Sequence, residues 1–180
     1  IAFFDPAQES FLEYELAKLL VTVRSPLRPT VGVISSLPLQ RGANNRPWLI
    51  WQELSLRFDL ELLGTDFATI DPAVRALLIV HPKGLSPSAL QAIDAAASSG
   101  LPMGVLFDPV CELDRPAGSD RNPMAAMQAD RSSDLGNLLE RWGVRIDTQT
   151  VAGDLDLAAR VRSRGDAVAY LPYLQMTAQQ

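Results

Sequence analysis

Two apolar runs in this chain each stop abruptly at a polar residue followed by proline. Ala76–Val80 ends at His81-Pro82-Lys83-Gly84, and Met103–Phe107 ends at Asp108-Pro109. Between them, Leu90, Ile93 and Ala97 recur at helical spacing. Ser86-Pro87 stands where a helix starts and Gly100 where one stops. A strand, a crossover helix and a second strand, apolar on both faces, predict a parallel sheet covered on both sides. Ligands of open parallel sheets bind beyond the carboxyl ends of the strands, so His81, Lys83 and Asp108 fall where a site would form.

The flanking segments extend the pattern. Thr30–Ser35 (TVGVIS) reads as a β-branched strand that places Ser35 and Ser36 at the same end, and Phe58–Leu63 reads as another strand. Asp5-Pro6 opens a helix with Leu12, Leu16, Leu19, Leu20 and Val23 on one face, stopped by Pro26 and Pro29. Pro47 opens a helix over Trp48–Arg57. Ser132-Ser133-Asp134 opens another, carrying Leu135, Leu138, Leu139 and Trp142 and stopped by Gly143. Val144–Ile146 reads as a short strand, residues 156–164 as helical and residues 167–171 as extended. Residues 114–131 are polar, contain Pro116, Gly118 and Pro123, and read as a long mobile loop. The expected fold is α/β, a three-layer sandwich with a mainly parallel sheet.

Composition narrows the function. A length of 180 residues suits one domain, and a net charge of -5 with no lysine and arginine cluster argues against nucleic acid as partner. One cysteine and one histidine exclude an intrachain disulfide, a cysteine-based zinc site and a histidine-rich centre. No stretch approaches the roughly 20 apolar residues that span a bilayer. The chain begins at Ile1 without an initiator methionine, so it is read as a fragment of a longer protein.

Several constellations bear on chemistry. His81 and Lys83 before a helix start suit an anion, although His-Pro-Lys-Gly is equally a turn. Asp108, Glu112 and Asp114 offer oxygen ligands, but their spacing is not that of a calcium loop, and solvated loop acids are the default. No metal site and no cofactor is expected. Asp108 also suits capping of the backbone after its strand. Cys111 sits in a loop, where a dyad with His81 is arithmetically open. Val33-Ile34-Ser35-Ser36-Leu37 lacks the Gly-x-Ser-x-Gly elbow of a hydrolase, and Gly32, Gly84 and Gly104 form no dinucleotide fingerprint. Pro47-Trp48-Leu49-Ile50-Trp51 holds more apolar surface than one buried stripe takes up, so Trp48 and Trp51 are candidates for a partner contact as well as for core.

Taken in order, the motifs carry a resemblance. They are FFDPxxExFLEYELxKL, PTVGVISSLPL, PWLIWQEL, LLIVHPKGLSPxxLxAID, VLFDPxxELD, SSDLGxLLxxWGV and VAGDL. Together they resemble the soluble domain of uncharacterised ABC-type transport auxiliary proteins linked to gliding motility, from Phe3 to about Tyr173. The resemblance implies a fold similar to glutamine amidotransferase-like and flavodoxin-like domains. It implies a membrane-anchored parent protein, with residues 1–180 as a single extracytoplasmic (periplasmic) domain beside an ABC permease and ATPase. It transfers no catalytic residue. An amidotransferase-like sheet acts through a cysteine at a strand-to-helix turn, and this turn has none. The expected function is therefore a non-catalytic binding or scaffold domain of an ABC transport system, contacting a partner protein or a small or polymeric substrate. Ser35, Ser36, His81, Lys83 and Asp108 are the candidate ligand-binding residues. The alternative is a divergent hydrolase or amidotransferase-like enzyme using Cys111 or Ser35.

Overall fold

Residues 12–24, 28–42, 45–114, 124, 129–147, 150, 153–163 and 165–175 are described by a computed structural model. Their elements run α1 (Leu12–Arg24), β1 (Thr30–Ser35), α2 (Leu49–Ser55), β2 (Asp59–Leu62), β3 (Val74–Val80), α3 (Pro87–Ser98), β4 (Met103–Leu106), α4 (Leu138–Arg141), β5 (Ala158–Ser163) and β6 (Asp166–Leu174). The first four strands form a parallel sheet in the order β2-β1-β3-β4. The chain leaves β1 for one edge, returns to the other side of β1, and then moves outward. The reversal falls between β1 and β3, where Ser35 pairs with Val80.

Alternation along the strands builds two cores, one on each face. Ile34, Leu77 and Ile79 point to one face, where they meet Ile93 of α3 together with Leu135 and Leu138. Val33 points to the other, where Leu78 and Val80 join Leu37, Leu39, Trp48, Trp51 and Cys111. The fold is thus α/β, a parallel sheet between helical layers, as the apolar runs predict. Gly32 lies in β1 because the space is taken: a Cβ there would sit 2.8 Å from a methyl of Leu77.

α3 starts as its sequence dictates. Ser86 accepts the Ala89 amide at its N-cap, Pro87 occupies the first turn, and Gly100 adopts φ +80° beyond the end. The helix is tied to the α4 region by Trp142 Nε1 donating to Asp94 (3.1 Å) and by Arg141 against the same carboxylate (2.7 Å).

Four expectations change. The helix expected from Ser132 is only the short α4, because Asp134 accepts the Gly136 amide at 2.6 Å and Gly136 turns left-handed at φ +57°. Val144–Ile146 belongs to no sheet. Residues 158–163 are a strand, not a helix: Ala159 and Val161 alternate with Arg160 and Arg162, and Gly165 (φ +99°) turns the chain back into β6 as an antiparallel hairpin. The apolar face of α1 is not buried, with Leu20 and Val23 70% and 80% exposed. Asp5 and Pro6, and residues 115–123 and 125–128 of the expected mobile loop, lie outside the described residues.

Candidate functional site at the strand ends

Three of the four parallel strands, β1, β3 and β4, end in a polar cluster. His81 follows β3 directly and adopts φ +46°, a left-handed conformation uncommon for a side chain of this size. Its amide donates to Leu106 O at the end of β4 (2.9 Å), and its carbonyl accepts the Ser36 hydroxyl (2.6 Å). The residue therefore bridges β1, β3 and β4. That bridging holds the strained backbone, which otherwise costs on the order of 1 kcal/mol or more.

The imidazole points inward and is 2% exposed. Nδ1 lies 2.9 Å from the Ser133 hydroxyl, and Nε2 lies 3.5 Å from Asp114 Oδ2. The Ser133 oxygen also accepts the Asp108 amide at 2.9 Å, while the Ser133 amide donates to Asp108 O at 2.8 Å. A carboxylate facing Nε2 calls for a proton on that nitrogen, so the Ser133 hydroxyl donates to Nδ1. At 3.5 Å the Nε2 contact with Asp114 is electrostatic, and Nε2 makes no direct hydrogen bond.

Lys83 completes the cluster by donating to the Asp114 carboxylate and, at 2.6 Å, to Asp130 O. Burial raises the Asp114 carboxyl, but the Lys83 hydrogen bond and charge, with His81 behind them, hold it below its ordinary value overall. Asp130 is likewise lowered, by the Ser132 hydroxyl (2.7 Å) and amide (2.9 Å). The backbone of residues 131–134 stitches both strand ends together: Cys111 N donates to Arg131 O (3.0 Å) and Asp134 N donates to Pro82 O (2.6 Å).

Ser35, Ser36, His81, Lys83 and Asp108 thus gather at the strand ends, but each is engaged by another group of the chain. Ser35 is buried and accepts the Leu37 amide at 3.0 Å. Ser36 is spent on His81, Lys83 on Asp114, and Asp108 Oδ1 caps the Val110 amide at 2.9 Å. Cys111 is buried beside Val33, Leu37 and Leu39. Burial pushes its thiol up, with the Asp108 and Asp114 charges adding to that and amides of Leu113 and Asp114 offsetting part of it. A thiol so raised is a poor nucleophile. His81 presents its ring nitrogens to Ser133 and Asp114, so neither Cys111 nor Ser35 is its partner. Among the described residues no group of three or more histidine, cysteine or acidic side chains is placed to hold a metal ion.

Ser133 is the residue that sequence reading missed as a functional partner. Its contact with His81 spans 52 positions, and locally Ser132-Ser133-Asp134 looks like a helix cap. Ser133, His81 and Asp114 have the composition of a hydrolase triad. Their geometry differs: Ser133 is 2% exposed and its oxygen already accepts the Asp108 amide. Trp48 and Trp51 are half-buried against the second core, whereas Leu49 and Ile50 between them are 71% and 38% exposed.

Comparison with known proteins bears on this arrangement. No curated protein and no solved structure matches the chain. Among the described residues no helix is long and apolar enough to cross a membrane. Residues 28–180 match the family model described as ABC-type uncharacterized transport system, a stretch that holds the six described strands and every member of the polar cluster. By that match the chain belongs to this family of auxiliary components of ABC transport systems.

Proposed function

We propose that this domain is a non-catalytic docking element. In this reading a membrane-anchored parent protein holds it on the extracytoplasmic face beside an ABC permease and ATPase, in the branch of the family linked to gliding motility. One observation carries the non-catalytic part. The polar groups at the strand ends, where an α/β enzyme keeps its reactive atoms, are each engaged by another group of the chain, and the ones at the centre, Ser35, His81 and Ser133, are buried. Apolar groups also remain outward. Leu49 and Ile50 project from the start of α2, with Trp48 and Trp51 anchoring that turn to the core behind them. A rigidly backed apolar patch suits a protein contact.

The test uses the full-length protein in its native membrane. Leu49→Asp and Ile50→Asp should abolish co-purification of the permease and ATPase subunits while leaving expression and melting unchanged. Retained co-purification would remove α2 from the interface. Separately, hydrolysis of nitrophenyl esters or glutamine that disappears in Ser133→Ala or Cys111→Ser would overturn the non-catalytic reading. A topology reporter that stays on the cytoplasmic side would overturn the placement.

A further inference from the structure

A second surface carries binding capacity that neither the cluster nor α2 uses. Beside the end of β4 a groove of about 550 Å³ opens between residues 133–140 and 144–147. Phe107, Val144 and Ile146 supply part of its apolar lining, and the last two are 43% and 40% exposed. Val144-Arg145-Ile146 is β-branched at both apolar positions and favours a strand, yet among the described residues it pairs with no strand; Val144 N donates instead to Leu139 O of α4 (2.8 Å). The same groove is lined by the carboxylates of Asp134, Glu140 and Asp147 against the single guanidinium of Arg145, all on exposed residues. Arg141 of the adjacent turn does not redress that balance, because it is engaged by Asp94 at 2.7 Å. Asp134 accepts the Gly136 amide (2.6 Å), which orients its carboxylate without neutralising it; Asp147 is engaged, by the Thr150 hydroxyl (2.9 Å) among others, so the charge balance rests on Asp134 and Glu140.

An unpaired strand-forming segment, an apolar lining and an excess of negative charge fit one class of occupant. We propose that the groove takes an extended segment of a partner protein in which apolar and basic residues alternate. The segment lies along Val144–Ile146 as an added strand. Its main chain supplies the hydrogen bonds, its apolar side chains enter the groove, and its lysines or arginines meet the acidic residues. This surface is separate from α2 and does not depend on the α2 contact.

The test measures fluorescence anisotropy of labelled synthetic peptides with the full chain. A peptide alternating lysine and valine should bind saturably, and Glu-Val and Lys-Gly peptides of equal length should each bind at least about tenfold more weakly. Asp134→Lys combined with Glu140→Lys should weaken the Lys-Val peptide by roughly tenfold and make its binding less salt-dependent. Ile146→Asp should weaken it similarly, with circular dichroism and melting confirming that each variant is folded. Absence of saturable binding, equal binding of Lys-Gly, or unchanged affinity in the folded variants would each overturn the proposal. None of these results would alter permease co-purification, so failure here is distinguishable from failure of the α2 contact.

Discussion

The parallel sheet is covered on both faces, whereas among the described residues the β5–β6 hairpin buries only Ala158 and Ala159. Ile34 and Ile79 are fully buried between helical layers, whereas Val168, Leu171 and Tyr173 of the hairpin are 48%, 43% and 64% exposed. The sheet closes its own ends as well, spending each polar group on a neighbour. Among the described elements β5 and β6 pack mainly on each other, and a two-stranded hairpin in that condition is marginal in water. The difference separates two kinds of surface. Where the chain satisfies itself, it builds a platform; where apolar groups remain outward, partner binding has something to gain.

The contrast can be broken first through the cores. Ile79→Ala should cost about 2–5 kcal/mol in chemical denaturation, because the site is enclosed by Ile34, Leu77 and Ile93. Val168→Ala in the hairpin should stay within roughly 0.5 kcal/mol, as surface substitutions usually do. Equal losses at both positions would mean that the hairpin is buried in the working protein.

Next in size is the cluster itself. His81→Ala removes the group joining Ser133 to Asp114 and leaves the buried Ser133 hydroxyl without its acceptor, while Asp114 keeps Lys83. It should cost roughly 2–3 kcal/mol in the same assay. A neutral result would show that the strand ends are not held by this ring.

A smaller effect comes from Asp114, with a defined pH dependence. Its folded-state carboxyl lies below its ordinary value. The stabilisation it contributes is therefore complete above the unfolded value near 4 and is lost as pH falls through the depressed folded value. Asp114→Asn should lower stability at neutral pH by roughly 1 kcal/mol and flatten the acid limb of a stability-against-pH curve. An unchanged acid limb would assign that limb to other carboxylates. The smallest expected effect on stability is at α2. Leu49→Asp should leave denaturation within roughly 0.5 kcal/mol of the parent, so any loss of partner binding reads as loss of contact.

Much of the platform was legible in the residues. The runs ending at His81-Pro82 and Asp108-Pro109 marked strands that do end there, and Ser86-Pro87 with Gly100 marked both ends of α3. These signals are local and of full strength in a buried parallel sheet. The C-terminal part was harder to read. Ala158–Ser163 is rich in alanine and arginine, good helix formers, so strand pairing with β6 overrode propensity. The cluster was half legible. Proline and strand endings marked where His81, Lys83 and Asp108 fall, but nothing local shows that Ser133 and Asp114 close over them, 52 and 33 positions on from His81. Such closure is a property of tertiary packing, and it decides whether the strand ends form an open site or a clasp.

His81 is the chain's only histidine, so its ring signals are assignable without ambiguity. Nitrogen-detected NMR of the imidazole therefore tests the clasp directly. A single tautomer protonated at Nε2 is expected, with a ring proton protected from exchange and unperturbed by added substrates or nucleophile-directed inhibitors. A ring whose protons exchange with bulk water as fast as those of free imidazole, or one that shifts on inhibitor binding at Ser133 or Cys111, would contradict it.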